Sequence, residues 1–294
     1  MNAVYIAAAG DYVERVDAKL PATDLKPLVA QALGAPVRRI DRFIQLALIG
    51  AGRCCKQHSL PHDTAIYLGS GRGDLEVTID VMQALLRDGH APKPLSFINT
   101  VSNAACFYVA QNLKLNGRNS FVCNRYFAFE SVLQLAALDF QTGAARSALV
   151  GAVDVVVPPL AGHRTRLGLS ADAPVADASH WLCLETTPPE HSLGRLLAVE
   201  QFVDVDALRA WLATLAMDSS WRFAAGQFMP HALAAQWQQE LALQPFDYRA
   251  ERAYYDSHSG AVIGEFLRSN AAGSLLHLNR DPSGRYCAMA VVAG

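Results

Sequence analysis

Residues 147–157 read SALVGAVDVVV, a run of strand length that is rich in β-branched residues and apolar at odd and even positions alike. A strand with one face in water alternates apolar and polar residues, whereas this one needs cover on both faces. Such a strand belongs in a sheet with helices packed on each side. Similar runs recur at 4–9, 64–68, 120–123, 181–185, 196–205, 221–225, 251–255, 274–278 and 285–293. Segments with helical periodicity lie between them. In 40–55, Ile40, Phe43, Ile44, Leu46, Leu48 and Ile49 keep one apolar face. Further helices are expected over 75–87, 101–115, 127–142, 206–217, 230–243 and 259–269. Pro230 opens one of them, and Asp206 stands near the start of another. The pattern predicts an α/β chain whose two halves, 1–195 and 196–294, repeat a β-α-β-α-β-β order. No linker separates them, so residues 1–294 are expected to form a single domain.

Composition narrows the function. The chain is 51% hydrophobic and only 18% charged, with a net charge of −2. About 25% charged is usual for soluble proteins, so a buried, doubly covered sheet or surface hidden in an oligomer is expected. Arg38, Arg39 and Arg42 form the only local basic group and read as one helix face. Nucleic acid is therefore not expected as a partner. No apolar run is long enough to span a bilayer and no leader pattern opens the chain, which points to the cytoplasm and away from membranes. Six cysteines occur without CxxC pairs. Disulfides, a metal and a cofactor are not expected. The glycine loop 69–73 follows a strand, but it lacks the Lys-Ser/Thr of a phosphate loop and the full GxGxxG spacing, so it reads as a turn. His163, His180 and His191 flank loops and read as solvated.

Four segments, in order, resemble the β-ketoacyl synthase family of the thiolase superfamily. PLSFINTVSNAA at 94–105 is similar to the family's interface loop and helix. LNGRNSFV at 115–122 resembles the "LxGP" step into the nucleophile strand. ALVGAVD at 148–154 resembles "LVGGVD", and LSAD at 169–172 followed by WLCLE at 181–185 resembles the stretch ending "xLxLE". The resemblance implies a thiolase-like α-β-α-β-α layered fold with some cap insertions missing.

It also implies a catalytic Cys-His-His triad, and here the chain departs from the family. Counting from Gly117 puts Tyr126 at the cysteine position, with Arg125 and Phe127 as one-residue alternatives. A phenol with a pKa near ~10 is a poor acyl acceptor beside a thiol. Ala225 stands where the "HGT" histidine belongs. Ser257 or His258 falls at the "GHxxGAAG" histidine, with His258 one residue out of step. This pattern is similar to chain-length factors, the ketosynthase-like subunits that pair with an active ketosynthase, and most resembles those of aryl polyene systems.

Three functions follow from the resemblance. The first is a non-catalytic subunit that pairs with an active β-ketoacyl-ACP synthase in fatty acid, polyketide or aryl polyene biosynthesis and shapes its acyl tunnel, with acyl carrier protein (ACP) as an indirect partner. Leu95, Phe97, Ile98, Val101 and Phe107 are its expected tunnel and interface residues. The second is an active acyltransferase using Cys106, in an "AAC" context, with His258 as base. The third is a non-enzymatic homodimeric scaffold.

Overall fold

The computed structural model describes residues 3–248, 253–269 and 272–294. The first half contains β1 (Val4–Val16), α1 (Lys26–Leu33), α2 (Arg42–Cys55), β2 (Ala65–Ser70), α3 (Leu75–Leu86), α4 (Pro94–Asn99), α5 (Ala104–Leu113), β3 (Asn119–Cys123), α6 (Ala128–Thr142), β4 (Ser147–Asp154), α7 (Leu160–Leu167) and β5 (Val175–Glu185). The second contains β6 (Gly194–Phe202), α8 (Val205–Leu212), β7 (Trp221–Ala225), α9 (His231–Leu241), β8 (Gln244–Pro245), α10 (His258–Arg268), β9 (Ser274–Arg280) and β10 (Tyr286–Ala293).

The strand order is β3-β2-β4-β5-β1-β6-β10-β9-β7-β8. Read outward from the centre, each half runs first, fifth, fourth, second and third strand. In each, the first–fifth and fifth–fourth pairs are antiparallel and the fourth–second and second–third pairs are parallel. The halves meet where Val4, Tyr5 and Ile6 of β1 pair with Leu196, Arg195 and Gly194 of β6. The two halves are therefore a structural repeat, one strand–helix step longer than the shorthand read from the sequence.

Three apolar cores define the layers. Phe129, Val132 and Leu133 of α6 and Val262, Ile263 and Phe266 of α10 form the middle one, between the two half-sheets. Helices α2 and α5 cover the first half-sheet from outside. Helices α8 and α9 cover the second. Every residue of β2 and β4 is buried, as two-sided cover requires.

Several local expectations change. The helix expected over 101–115 starts only at Ala104; Pro94, favoured in a first turn, opens a separate α4 before it. Residues 251 and 252 of the strand expected over 251–255 lie outside the described residues. Tyr254 makes only an isolated bridge to Val175, and the third strand of that half is β8. Helix α8 is capped by Asp204, whose carboxylate accepts the Ala207 N–H at 2.7 Å, with Asp206 in the first turn. Arg38 and Arg39 precede α2 instead of sharing a helix face with Arg42. The Arg42 guanidinium is engaged by Asp177 at 2.5 Å and Glu14 at 3.0 Å. The 69–73 loop is closed by the chain's own carboxylate: Asp154 accepts from Gly71 N–H at 2.9 Å and Ser70 Oγ at 3.1 Å.

Candidate functional site

Strand β3 ends at Cys123 and α6 begins at Ala128, so Tyr126 stands at the strand-to-helix elbow. Its half-buried ring packs on the middle core, under the Arg125 guanidinium at 5.1 Å. Phe127 is buried at the helix cap. Ala225 ends β7 and is buried; its carbonyl accepts the Tyr248 hydroxyl at 2.8 Å. Ser257 and His258 are buried at the start of α10, where the Ser257 N–H donates to Asp154 at 2.6 Å.

These separated positions converge on one polar cluster. Asn279 Nδ2 donates to the Tyr126 carbonyl at 2.9 Å and to Glu130 Oε1 at 2.8 Å. Ser259 Oγ lies 2.6 Å from Glu130 Oε1, 3.0 Å from His277 Nε2 and 3.4 Å from His258 Nε2. His277 Nδ1 is 2.9 Å from the carbonyl of Ala224, the neighbour of Ala225. A carbonyl only accepts, so that nitrogen carries the hydrogen. Burial pushes the Glu130 carboxyl up. The Ser259 O–H donates to Glu130 Oε1, which also accepts from Asn279, and His277 Nδ1–H donates to the Ala224 carbonyl.

The cluster predicts an asymmetric response at Glu130. Glutamine keeps one acceptor for Ser259 and Asn279 but places its amide N–H groups where nothing faces Oε2 among the described residues, so Glu130→Gln should cost about 1–2 kcal/mol in denaturant unfolding. Glu130→Leu leaves Ser259 and Asn279 without their partner and should cost about 2–4 kcal/mol.

Cys106 and His258 are not brought together. Cys106 lies on α5, buried in the outer core, and His258 opens α10 in the middle layer across the half-sheet. Burial pushes the Cys106 thiol up to about 12, opposite to what a nucleophile needs. Cys287 lies within electrostatic reach of Glu130 but is held protonated by burial. Cys123 is exposed at the end of β3, its thiol 3.6 Å from the Gly71 carbonyl. Cys54 and Cys183 are buried with sulfurs 3.4 Å apart. Two histidines expected in solvent are buried. His180 stacks on Tyr255 at 5.5 Å, and His163 accepts the Val157 N–H, its pKa lowered by burial to about 4. Among the described residues no group of His, Cys, Asp or Glu could hold a metal, and no helix is long and apolar enough to cross a membrane.

The second candidate region lies at the edge of the first half-sheet. Leu95, Phe97, Ile98, Val101 and Phe107 all line one open groove of about 1210 Å³, together with Asn119 and Phe121 of β3. They are 37–59% exposed, high for large apolar side chains. Among the described residues strand β3 has a hydrogen-bonded neighbour on one side only, so its outer backbone edge is available for pairing.

Glu130, His277 and Asn279 do not appear in any motif, and Ser259 lies in the GHxxGAAG-like segment but is not one of the candidate residues expected there. One signal is present: Glu130 falls on the same α6 stripe as the buried Leu133 and Ala137.

The repeated half-sheets, the three helical layers and the elbow before α6 define a thiolase-like fold of the ketosynthase type. Solved structures of this class are similar to the chain. "The ishigamide ketosynthase/chain length factor" superposes with a TM-score of 0.76 at 17% identity, covering 99% of this chain and 100% of that one. A type II polyketide synthase ketosynthase solved with its acyl-carrier protein (AntDE:AntF) gives 0.74 at 13%, covering all of both chains. A β-ketoacyl synthase from Burkholderia phymatum STM815 gives 0.69 at 11%, again covering both. At these identities the likeness is one of fold. No family model and no curated protein matches the chain.

Proposed function

We propose that this chain is a ketosynthase-like subunit without condensing chemistry of its own, which pairs with an active β-ketoacyl-ACP synthase and forms the far wall of that enzyme's acyl tunnel. The observation that carries the reading is the groove: all five apolar side chains expected to face a partner stand exposed in one concavity beside an unpaired strand edge. Exposed apolar surface of this kind marks an interaction site. The elbow supports the negative half of the reading, since Tyr126 offers no thiol and Ala225 no imidazole. ACP then delivers acyl groups to the partner's cysteine. The product class, whether fatty acid, polyketide or aryl polyene, belongs to the partner.

A wall of this kind limits chain growth by steric exclusion. Phe97→Ala and Phe107→Ala should each lengthen the product of the reconstituted pair by one or more extension units while synthesis continues. Mass spectrometry of the products checks this, and unchanged length in both variants removes the tunnel-wall role. The homodimeric scaffold uses the same edge and groove; it differs in needing no ketosynthase.

A further inference from the structure

A second concavity, of about 500 Å³, opens at the C-terminal end of β1 and shares no residue with the groove. Its size falls within the range of about 300–1000 Å³ that small-ligand sites occupy. Much of its wall is apolar. Val16, Leu20 and Pro21 come from the end of β1 and the loop after it, and Val156, Pro158 and Leu160 from the segment after β4. Leu20 is 68% exposed, a large apolar side chain left open to solvent beside this cavity.

The charged groups in the wall are of two kinds. Arg42 of α2 and two carboxylates form a closed set. The Arg42 guanidinium donates to Asp177 Oδ2 at 2.5 Å, to Glu14 Oε2 at 3.0 Å and to the Thr23 carbonyl at 2.9 Å. The remaining oxygens are taken as well: Asp177 Oδ1 accepts the Val156 N–H at 2.6 Å, and Glu14 Oε1 accepts the Thr23 hydroxyl. Glu76, in the first turn of α3, lines the same cavity half-buried, and among the described residues no group donates to it. Burial and the charges of Asp80 and Asp177 push its carboxyl up against the smaller pull of Arg42. That is the behaviour of a carboxylate short of a cation. Arg15 and Asp17, both exposed, offset each other in charge. Glu14, Asp177 and Glu76 then stand against Arg42 alone, so the cavity favours a positive ligand.

We propose that this cavity binds a small organic cation, a primary ammonium carried on an apolar body, with the ammonium donating to Glu76 and the body lying on Leu20, Val156 and Leu160. Among the described residues no aromatic ring lines the cavity, and aromatic faces are what hold a quaternary ammonium, so the head group is one that donates hydrogen bonds. An anion of the same shape would meet three carboxylates and an arginine already engaged by two of them. Binding here needs no ketosynthase and goes beyond the partner reading above.

The test is methyl NMR of the wild-type chain near neutral pH, titrated with three probes of one shape: 2-phenylethylammonium, 2-phenylethanol and 3-phenylpropionate. The methyl groups of Leu20, Val156 and Leu160 report this cavity, and those of Leu95 and Val101 report the groove. The ammonium should shift the first set and bind about tenfold or more tighter than the alcohol, the contribution of one hydrogen bond to a charged group. The propionate should bind more weakly than the alcohol. Glu76→Gln should weaken the ammonium about tenfold or more and leave the alcohol unchanged. No binding of the ammonium, equal affinity for all three probes, or shifts confined to the groove overturn the proposal. So does a Glu76→Gln chain that binds the ammonium as wild type does, which leaves Glu76 with only the α3 dipole to serve. The three-probe comparison uses wild type alone, so it decides the matter even if the variant does not fold.

Discussion

Val101→Glu combined with Phe107→Glu should leave a folded chain that no longer associates with a ketosynthase. Both side chains are more than half exposed, so the free protein loses little; circular dichroism and Tm should match wild type within about 0.5 kcal/mol. In the pair they would be covered. Apolar side chains of this size contribute about 1.5–3 kcal/mol each when buried, and a carboxylate forced into the same space adds a desolvation cost. A combined loss of about 4 kcal/mol or more corresponds to about a thousandfold in Kd. Analytical ultracentrifugation of the mixed subunits would check this. Equal affinity for wild type and variant would move the interface elsewhere.

The second large effect is expected at Gly69, where β2 passes beneath the start of α6. A Cβ there would lie 2.3 Å from the Ala128 carbonyl oxygen and 3.0 Å from its carbon. Both contacts are backbone, so no rotamer change relieves them. Gly69→Ala must push α6 away from the sheet, and with it the elbow at Tyr126 and the Glu130 cluster. Overpacking of this kind costs about 3 kcal/mol or more, a large share of a typical stability of about 5–15 kcal/mol. A Tm at least about 6 °C lower, or loss of soluble protein, is the expected result. Wild-type stability would show that α6 is not held against β2.

The elements that the sequence makes legible are those whose signal is local and strong. The two-sided apolar runs at 64–68 and 147–157 announce a covered sheet, and α2 and α6 announce themselves by periodicity. Strand β8 is only two residues long, too short for a period, and α1, α4 and α7 are short helices of six to eight residues. The groove residues are legible because PLSFINTVSNAA carries a motif. The Glu130 cluster is not, because its contacts join residues 18 to 149 positions apart. The buried His163 and His180 fail in the same way. A histidine beside a loop in sequence says nothing about which helix or ring covers it once the chain folds.

The central claim is that this chain works only as half of a condensing pair. Its most direct test is native mass spectrometry of the tagged protein purified with its co-expressed ketosynthase, before and after exposure to acyl-ACP. The account predicts a 1:1 complex in which the acyl mass appears on the partner's cysteine and none on this chain. An acyl adduct on this chain, or a stable homodimer that ignores the ketosynthase, would contradict it.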